Sequence, residues 1–251
     1  DLNMSNPPAL LRVSSTAEAL DLLREDDRFD FILTMYNVGE PDVFDFAKIV
    51  KERHPNTPVA LLTSFSKDIY RRIEEQDRSG LDYIFCWHGN TEPIIVIKLI
   101  EDAMNAEEDI LTGGVQAILL VEDSVRFYST YLPALYKLIL QQNTEFLKDA
   151  FNEQQQILRK RARPKILLAT NYADAVALYE RYKKNLLGVI SDVGFVLHKG
   201  DSPSTEKLDA GIDLCRLVRA DNPLMPVLLQ SSQTAFAAQA RELGAGFIAK
   251  N

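Results

Sequence analysis

The chain has 251 residues, 46% of them hydrophobic and 25% charged, with a net charge of -8. That length suits one large or two small domains, and an acidic surplus argues against nucleic acid or an anionic membrane as the main partner. Two cysteines, Cys86 and Cys215, lie in separate apolar segments and offer neither a disulfide framework nor a metal spacing. They read as buried reduced thiols, which fits a reducing cytoplasm; no apolar run reaches membrane-spanning length and no signal peptide is read.

After an opening loop through Asn6-Pro7-Pro8, Leu10–Ser14 reads as a short strand and Ala17–Arg24 as a helix. Phe29–Met35 is a second strand, Asp42–Arg53 a helix, Pro58–Thr63 a third strand, Asp68–Glu75 a helix, Tyr83–Cys86 a fourth strand and Pro93–Met104 a closing helix. Strands alternating with helices mean parallel strands joined by crossovers. Asn105–Gly114 moves from an acidic helix end to paired glycines, and 107–114 is the expected linker.

The rhythm then restarts. Ala117–Val121 is a strand ending in Glu122-Asp123-Ser124, followed by a long helical stretch from about Val125 to Arg163 in which Pro133 should make a kink or break. Ile166–Thr170 is a strand, Tyr172–Tyr182 a helix, and Leu186–Val193 an apolar strand carrying Asp192 near its end. Phe195–Leu208 is a polar loop, Ile212–Arg219 a helix, Val227–Gln230 a strand, Ala235–Leu243 a helix and Phe247–Ala249 the last strand. The halves repeat one another: Pro58–Ser64 aligns with Pro226–Ser232, and Gly80–Cys86 parallels Gly244–Lys250. The first copy lacks a first strand and helix, and the second lacks a closing helix. Either the protein continues beyond both ends of this chain or a neighbouring segment fills the gap.

In an open parallel sheet, ligands bind at the carboxyl ends of the strands. Those ends carry Glu122 and Asp123, Asp192, Ser231 and Lys250. Clustered carboxylates repel unless a cation sits among them, and hard oxygen ligands with room for water suit Mg²⁺. With that charge neutralised, Asp192 can attack phosphorus and form an acyl phosphate. The Gly194 carbonyl can serve the metal, Lys250 can hold a phosphoryl oxygen and Ser231 can hydrogen-bond another.

Val121-Glu122-Asp123-Ser124, Ile190-Ser191-Asp192, Leu229-Gln230-Ser231-Ser232 and Gly246–Lys250 together resemble the receiver domain of bacterial response regulators. The resemblance implies two flavodoxin-like (CheY-like) doubly wound α/β domains with strand order 2-1-3-4-5. Residues 1–106 would be a degenerate receiver and 115–251 a phosphorylatable one with an extended helix after its first strand. It implies phosphoryl transfer to Asp192 from a histidine kinase or phosphotransfer protein, Mg²⁺ held by Glu122, Asp123, Asp192 and Gly194, and a switch pair of Ser231 and Phe247. An output domain would lie outside this chain; tandem receivers of this kind precede a phosphoenolpyruvate-utilising region in some proteins. Two features depart from the family: a long polar loop follows Gly194, and the first helix is far longer.

In the first half, Met35 falls where Asp192 does and Cys86 where Lys250 does, while Thr63 keeps the switch hydroxyl. A thioether cannot accept a phosphoryl group as a carboxylate does, so this copy reads as a binding or dimerising module. Trp87-His88 is a candidate protein contact, whereas His54, His198 and Lys199 read as solvated. On the long helix, Leu147, Ala150, Phe151, Ile157 and Leu158 form an apolar stripe needing cover from the first domain or from a second chain in a homodimer; Arg159–Arg163 reads as its solvated basic end. Two rival readings stay open. One is an Mg²⁺-dependent aspartyl phosphohydrolase, against which Gly194 counts, because such enzymes place an acid two residues after the nucleophile. The other is an unphosphorylated structural module.

Overall fold

A computed structural model describes residues 9–26, 28–64, 66–87, 93–148 and 163–250. Among these, one compact unit runs through Ile100 and takes in Val125–Ala134; the other comprises Glu101–Ser124 and the chain from Leu135 onward.

The first unit contains α1 (Thr16–Glu25), β1 (Ile32–Met35), α2 (Val43–Arg53), β2 (Val59–Ser64), α3 (Lys67–Glu75), β3 (Tyr83–Trp87) and most of α4 (Pro93–Met104). Ser15 caps α1 by accepting from the Glu18 N–H, and Asp42 caps α2 by accepting from the N–H groups of Phe44 and Asp45, satisfying donors that a helix start leaves free. The sheet is parallel in the order β1-β2-β3. Its middle strand is buried from Val59 through Thr63, as expected where helices cover both faces.

One expectation for this unit needs correction. Among the described residues the sheet has three strands where four were expected, because Leu10–Ser14 is not a strand, and β1 has its α/β neighbours without the Leu10–Ser14 edge. Leu10 and Leu11 are exposed and meet no ladder partner, so an apolar run there has nothing to bury against. In contrast, the start of the long helix α5 (Val125–Lys148) packs within this unit. Tyr128 donates its hydroxyl hydrogen to the Ile84 carbonyl, and the Cys86 N–H donates to Ser129 Oγ at 3.0 Å. Both acceptor and donor belong to the edge strand β3, whose unpaired backbone groups would otherwise be open to another chain. Pro133 sits inside α5 without ending it. Residues 149–162, with most of the expected apolar stripe, lie outside the described residues, as do His88 and Asn6-Pro7-Pro8.

The second unit holds β4 (Ala117–Val121), β5 (Lys165–Ala169), α6 (Tyr172–Tyr182), β6 (Leu186–Asp192), α7 (Ala210–Asp221), β7 (Val227–Ser231), α8 (Phe236–Glu242) and β8 (Gly246–Ala249). All strand pairs are parallel, in the order β5-β4-β6-β7-β8. The first strand of this unit, β4, thus lies between its second and third. Leu119, Val121, Leu167, Val189 and Leu229 of the sheet pack with Tyr179, Ile212, Leu214 and Val218 of the helices. Residues 107–114, expected as the linker, hold a π-helical turn over Glu107–Thr112 whose Ile110 is buried in this core.

A buried carboxylate ties this unit together. Asp102, fully buried in the last turn of α4, accepts from the Tyr136 hydroxyl at 2.8 Å, from both terminal nitrogens of Arg163 at 2.6 and 3.1 Å, and from the Ile166 N–H at 3.1 Å. Lys165 lies 3.7 Å from Asp102 and 2.5 Å from Asp109. Arg163 is therefore not the solvated end of a basic run; it is 3% exposed, because a buried carboxylate needs a cation beside it. Asp102→Ala strands Arg163 without its carboxylate and should destabilise the unit by about 3–5 kcal/mol. Thermal and urea unfolding of the variant check this; a parent-like transition would contradict it.

Candidate active site

Four strands of the five-stranded sheet each deliver polar side chains at the carboxyl end. Glu122 and Asp123 follow β4, Asp192 ends β6, Ser231 ends β7 and Lys250 follows β8. Backbone bonds fix these ends: the Glu122 N–H donates to Ala169 at 3.0 Å, the Val193 N–H to Gln230 at 3.0 Å and the Lys250 N–H to Ser231 at 2.9 Å. Carboxylate oxygens of Glu122, Asp123 and Asp192 all lie within 4.8 Å of one another, and no other such acidic group occurs among the described residues.

Lys250 joins two of them. Its ammonium donates to Glu122 Oε2 at 2.6 Å and to Asp192 Oδ2, with a side chain only 4% exposed. Glu122 has a fully buried side chain and also accepts from Gln230 Nε2 at 3.3 Å and from the Ser124 N–H at 3.2 Å. Asp192 Oδ1 accepts from the Val193 N–H at 2.7 Å. Asp123 accepts from the Val196 N–H at 3.3 Å. Ser231 Oγ is engaged by the Gln233 N–H at 3.1 Å, and Phe247 of β8 packs against the core one strand over. The structure thus brings Glu122, Asp123, Asp192 and Lys250 into one cluster, with Ser231 at the next strand end; it shows no bond between Ser231 and Asp192.

The electrostatics follow from this crowding. Burial, reinforced by the Asp192 charge and opposed by Lys250, raises Glu122 to about 8. Burial also lifts Asp123 to about 6, against the Val196 N–H that stabilises its charge. For Lys250, burial disfavours the ammonium, but Glu122 and Asp192 outweigh it and hold the pKa above the ordinary lysine value. One ammonium among these carboxylates leaves a net negative site, and an added cation with oxygen ligands fits it.

Three contributors were missed from the sequence. Glu206, on the loop after Gly194, puts its carboxylate where a Cβ on Gly194 would have to go. Burial first, then the Asp192 charge, raises its pKa. Gln230 was legible in principle, since an amide inside a buried strand needs a partner. Gly211 in the first turn of α7 lies so close to β6 that an added Cβ would overlap the Asp192 carbonyl oxygen. Its N–H donates to the Val193 carbonyl at 2.8 Å.

Strand register also compares the two sheets. Met35 pairs with Leu62 as Asp192 pairs with Gln230, so Met35 takes the Asp192 position. Thr63 pairs with Cys86 and Ser231 with Ala249. Trp87, not Cys86, therefore falls where Lys250 does; one extra residue between Gly80 and β3 hid this in the sequence.

No family model and no curated protein sequence matches the chain. Among solved structures, a response regulator receiver domain protein from Clostridium thermocellum is similar at 18% identity. That match spans 54% of this chain and 82% of the other, with a TM-score of 0.34. A probable two-component system response regulator/GGDEF domain protein is similar at 16% identity over 94% of this chain and 79% of the other, with a TM-score of 0.36. No described helix is long and apolar enough to cross a membrane.

Two outcomes follow. In cation-free protein the folded state keeps a proton on Glu122 up to about pH 8, whereas the unfolded chain loses it in the ordinary carboxylate range. Between those limits the folded state binds more protons, so stability falls as pH rises. Melting temperatures measured without Mg²⁺ should drop toward pH 8, less so in Glu122→Gln, and Mg²⁺ should reverse the loss. Gly211→Ala must push α7 off the end of β6 and should lower stability by about 1–3 kcal/mol, read as an earlier unfolding transition.

Proposed function

We propose that the second unit is a response-regulator receiver that accepts a phosphoryl group on Asp192. The observation that supports this best is the convergence of Glu122, Asp123 and Asp192 within 4.8 Å, with Lys250 bridging two of them. A carboxylate with its own ammonium partner at the mouth of a parallel sheet is a nucleophile held in place.

In this reading Glu122, Asp123, Asp192 and the Gly194 carbonyl would hold Mg²⁺, which would neutralise the charge that carboxylates and phosphoryl oxygens otherwise set against each other. Asp192 attacks phosphorus, and the bond to the donor's leaving group breaks. Lys250 and the Ser231 hydroxyl hold the phosphoryl oxygens. Drawing Ser231 toward them breaks the bond it accepts from the Gln233 N–H, and Phe247 is its partner in the switch. A histidine kinase or phosphotransfer protein is the donor, and an output domain takes the response.

The first unit has Met35 and Trp87 in the places of Asp192 and Lys250 and reads as an interaction module that takes no phosphoryl group. The phosphohydrolase and the purely structural module remain the rival outcomes of one experiment.

That experiment is incubation with Mg²⁺ and ³²P-labelled acetyl phosphate. One adduct on Asp192 is expected, lost when Mg²⁺ is chelated and lost in Asp192→Asn. Labelling of Asp192→Asn equal to the parent sinks the reading. Sustained turnover of p-nitrophenyl phosphate would favour the phosphohydrolase, and absence of Mg²⁺ binding the structural module.

A further inference from the structure

The loop after the acceptor strand returns its own carboxylate to the site. Phe195 and Lys207 form an antiparallel bridge, with the Lys207 N–H donating to Phe195 at 3.1 Å and the Phe195 N–H to Lys207 at 3.3 Å. Phe195 is fully buried and stacks with Tyr172. The carbonyls of Val196 and Leu197 accept from the N–H groups of Tyr172 and Ala173, each at 3.0 Å, which ties the outgoing strand of the loop to the start of α6. On the returning side, Ser202 caps a 3₁₀ turn over Pro203–Thr205, and Lys207 pairs with Asp213 in the first turn of α7.

These anchors fix where Glu206, one residue before the bridge, sends its side chain. Its Oε1 occupies the space of a Cβ on Gly194, and its Cδ lies 3.3 Å from that point. Gly194 is two residues after Asp192. The sequence offers no acid at that position, yet the fold places one there from a residue twelve further along. The Glu122 and Lys250 side chains are 0% and 4% exposed, while Asp192 is 13% exposed and Glu206 is exposed.

We propose that Glu206 is the general base for hydrolysis of the acyl phosphate on Asp192. The proposal rests on Asp192 being the phosphoacceptor. Oxygen of a water bonds to phosphorus as the phosphorus–oxygen bond to Asp192 breaks. The bonding pair returns to the Asp192 carboxylate, and one water proton passes to the Glu206 carboxylate and then to solvent. The products are the free carboxylate and inorganic phosphate. Gly194 has a stated part in this, because any side chain there would evict the base.

The test is the decay of ³²P-labelled Asp192 in the full chain with Mg²⁺, after removal of excess ³²P-acetyl phosphate. Glu206→Gln should slow decay by about a hundredfold, the scale of a positioned base, and should abolish the solvent deuterium isotope effect seen in the parent. Gly194→Ala, which displaces the carboxylate without deleting it, should slow decay as well. Mn²⁺ binding, followed by electron paramagnetic resonance, should be retained in Glu206→Gln. Parent-like decay in either variant, or loss of Mn²⁺ binding in Glu206→Gln with parent-like decay per bound ion, overturns the role of Glu206 alone. Failure of the parent to label on Asp192 overturns the phosphoacceptor reading, and the proposal with it.

Discussion

One ammonium faces several carboxylates at the mouth of a parallel sheet, and much of the second unit depends on that imbalance. Lys250 satisfies Glu122 and Asp192 together, so the carboxyl ends of β4, β6 and β8 are held in fixed relation. Asp123 and Glu206 add negative charge that Lys250 cannot neutralise. As it stands the cluster holds more carboxylates than ammonium groups. Structure and chemistry thus draw on one electrostatic deficit.

The buried Asp102 group solves the opposite problem. There, Arg163 and Lys165 face Asp102 and Asp109, and the charges balance. Tyr136 and the Ile166 N–H use the remaining acceptor capacity of Asp102. Such a network has no free valence for a ligand and reads as a clamp between α4, α5 and β5.

The gathering of polar residues at the strand ends was legible because parallel strands are written as apolar runs, and a polar residue where such a run stops has to be placed at a sheet edge. Glu122, Asp192, Ser231 and Lys250 were found in that way. The α/β pattern and most helix bounds were legible for the same reason: burial has a period. What failed was whatever depends on distant chain. Leu10–Ser14 has the composition of a strand, but no neighbour supplies a ladder. Arg163 looked solvated because its partner lies 61 residues away. Glu206 carries no local signal at all, since only the bridge between Phe195 and Lys207 brings its carboxylate beside Gly194. A residue count between glycine and strand misled the match to Lys250, and hydrogen-bond register corrected it to Trp87.

The packing of Val125–Ala134 with the three-stranded sheet has a consequence for the order of events in synthesis. The first unit is not complete when its last strand, β3, leaves the ribosome. The edge of β3 must wait for Tyr128 and Ser129, some forty residues later, with β4 of the other unit made in between. Domains usually fold as units in the order of their synthesis. Here the early sheet stays open along one side until the later unit has begun, and the acidic pair Glu122-Asp123 is made just ahead of the segment that closes it.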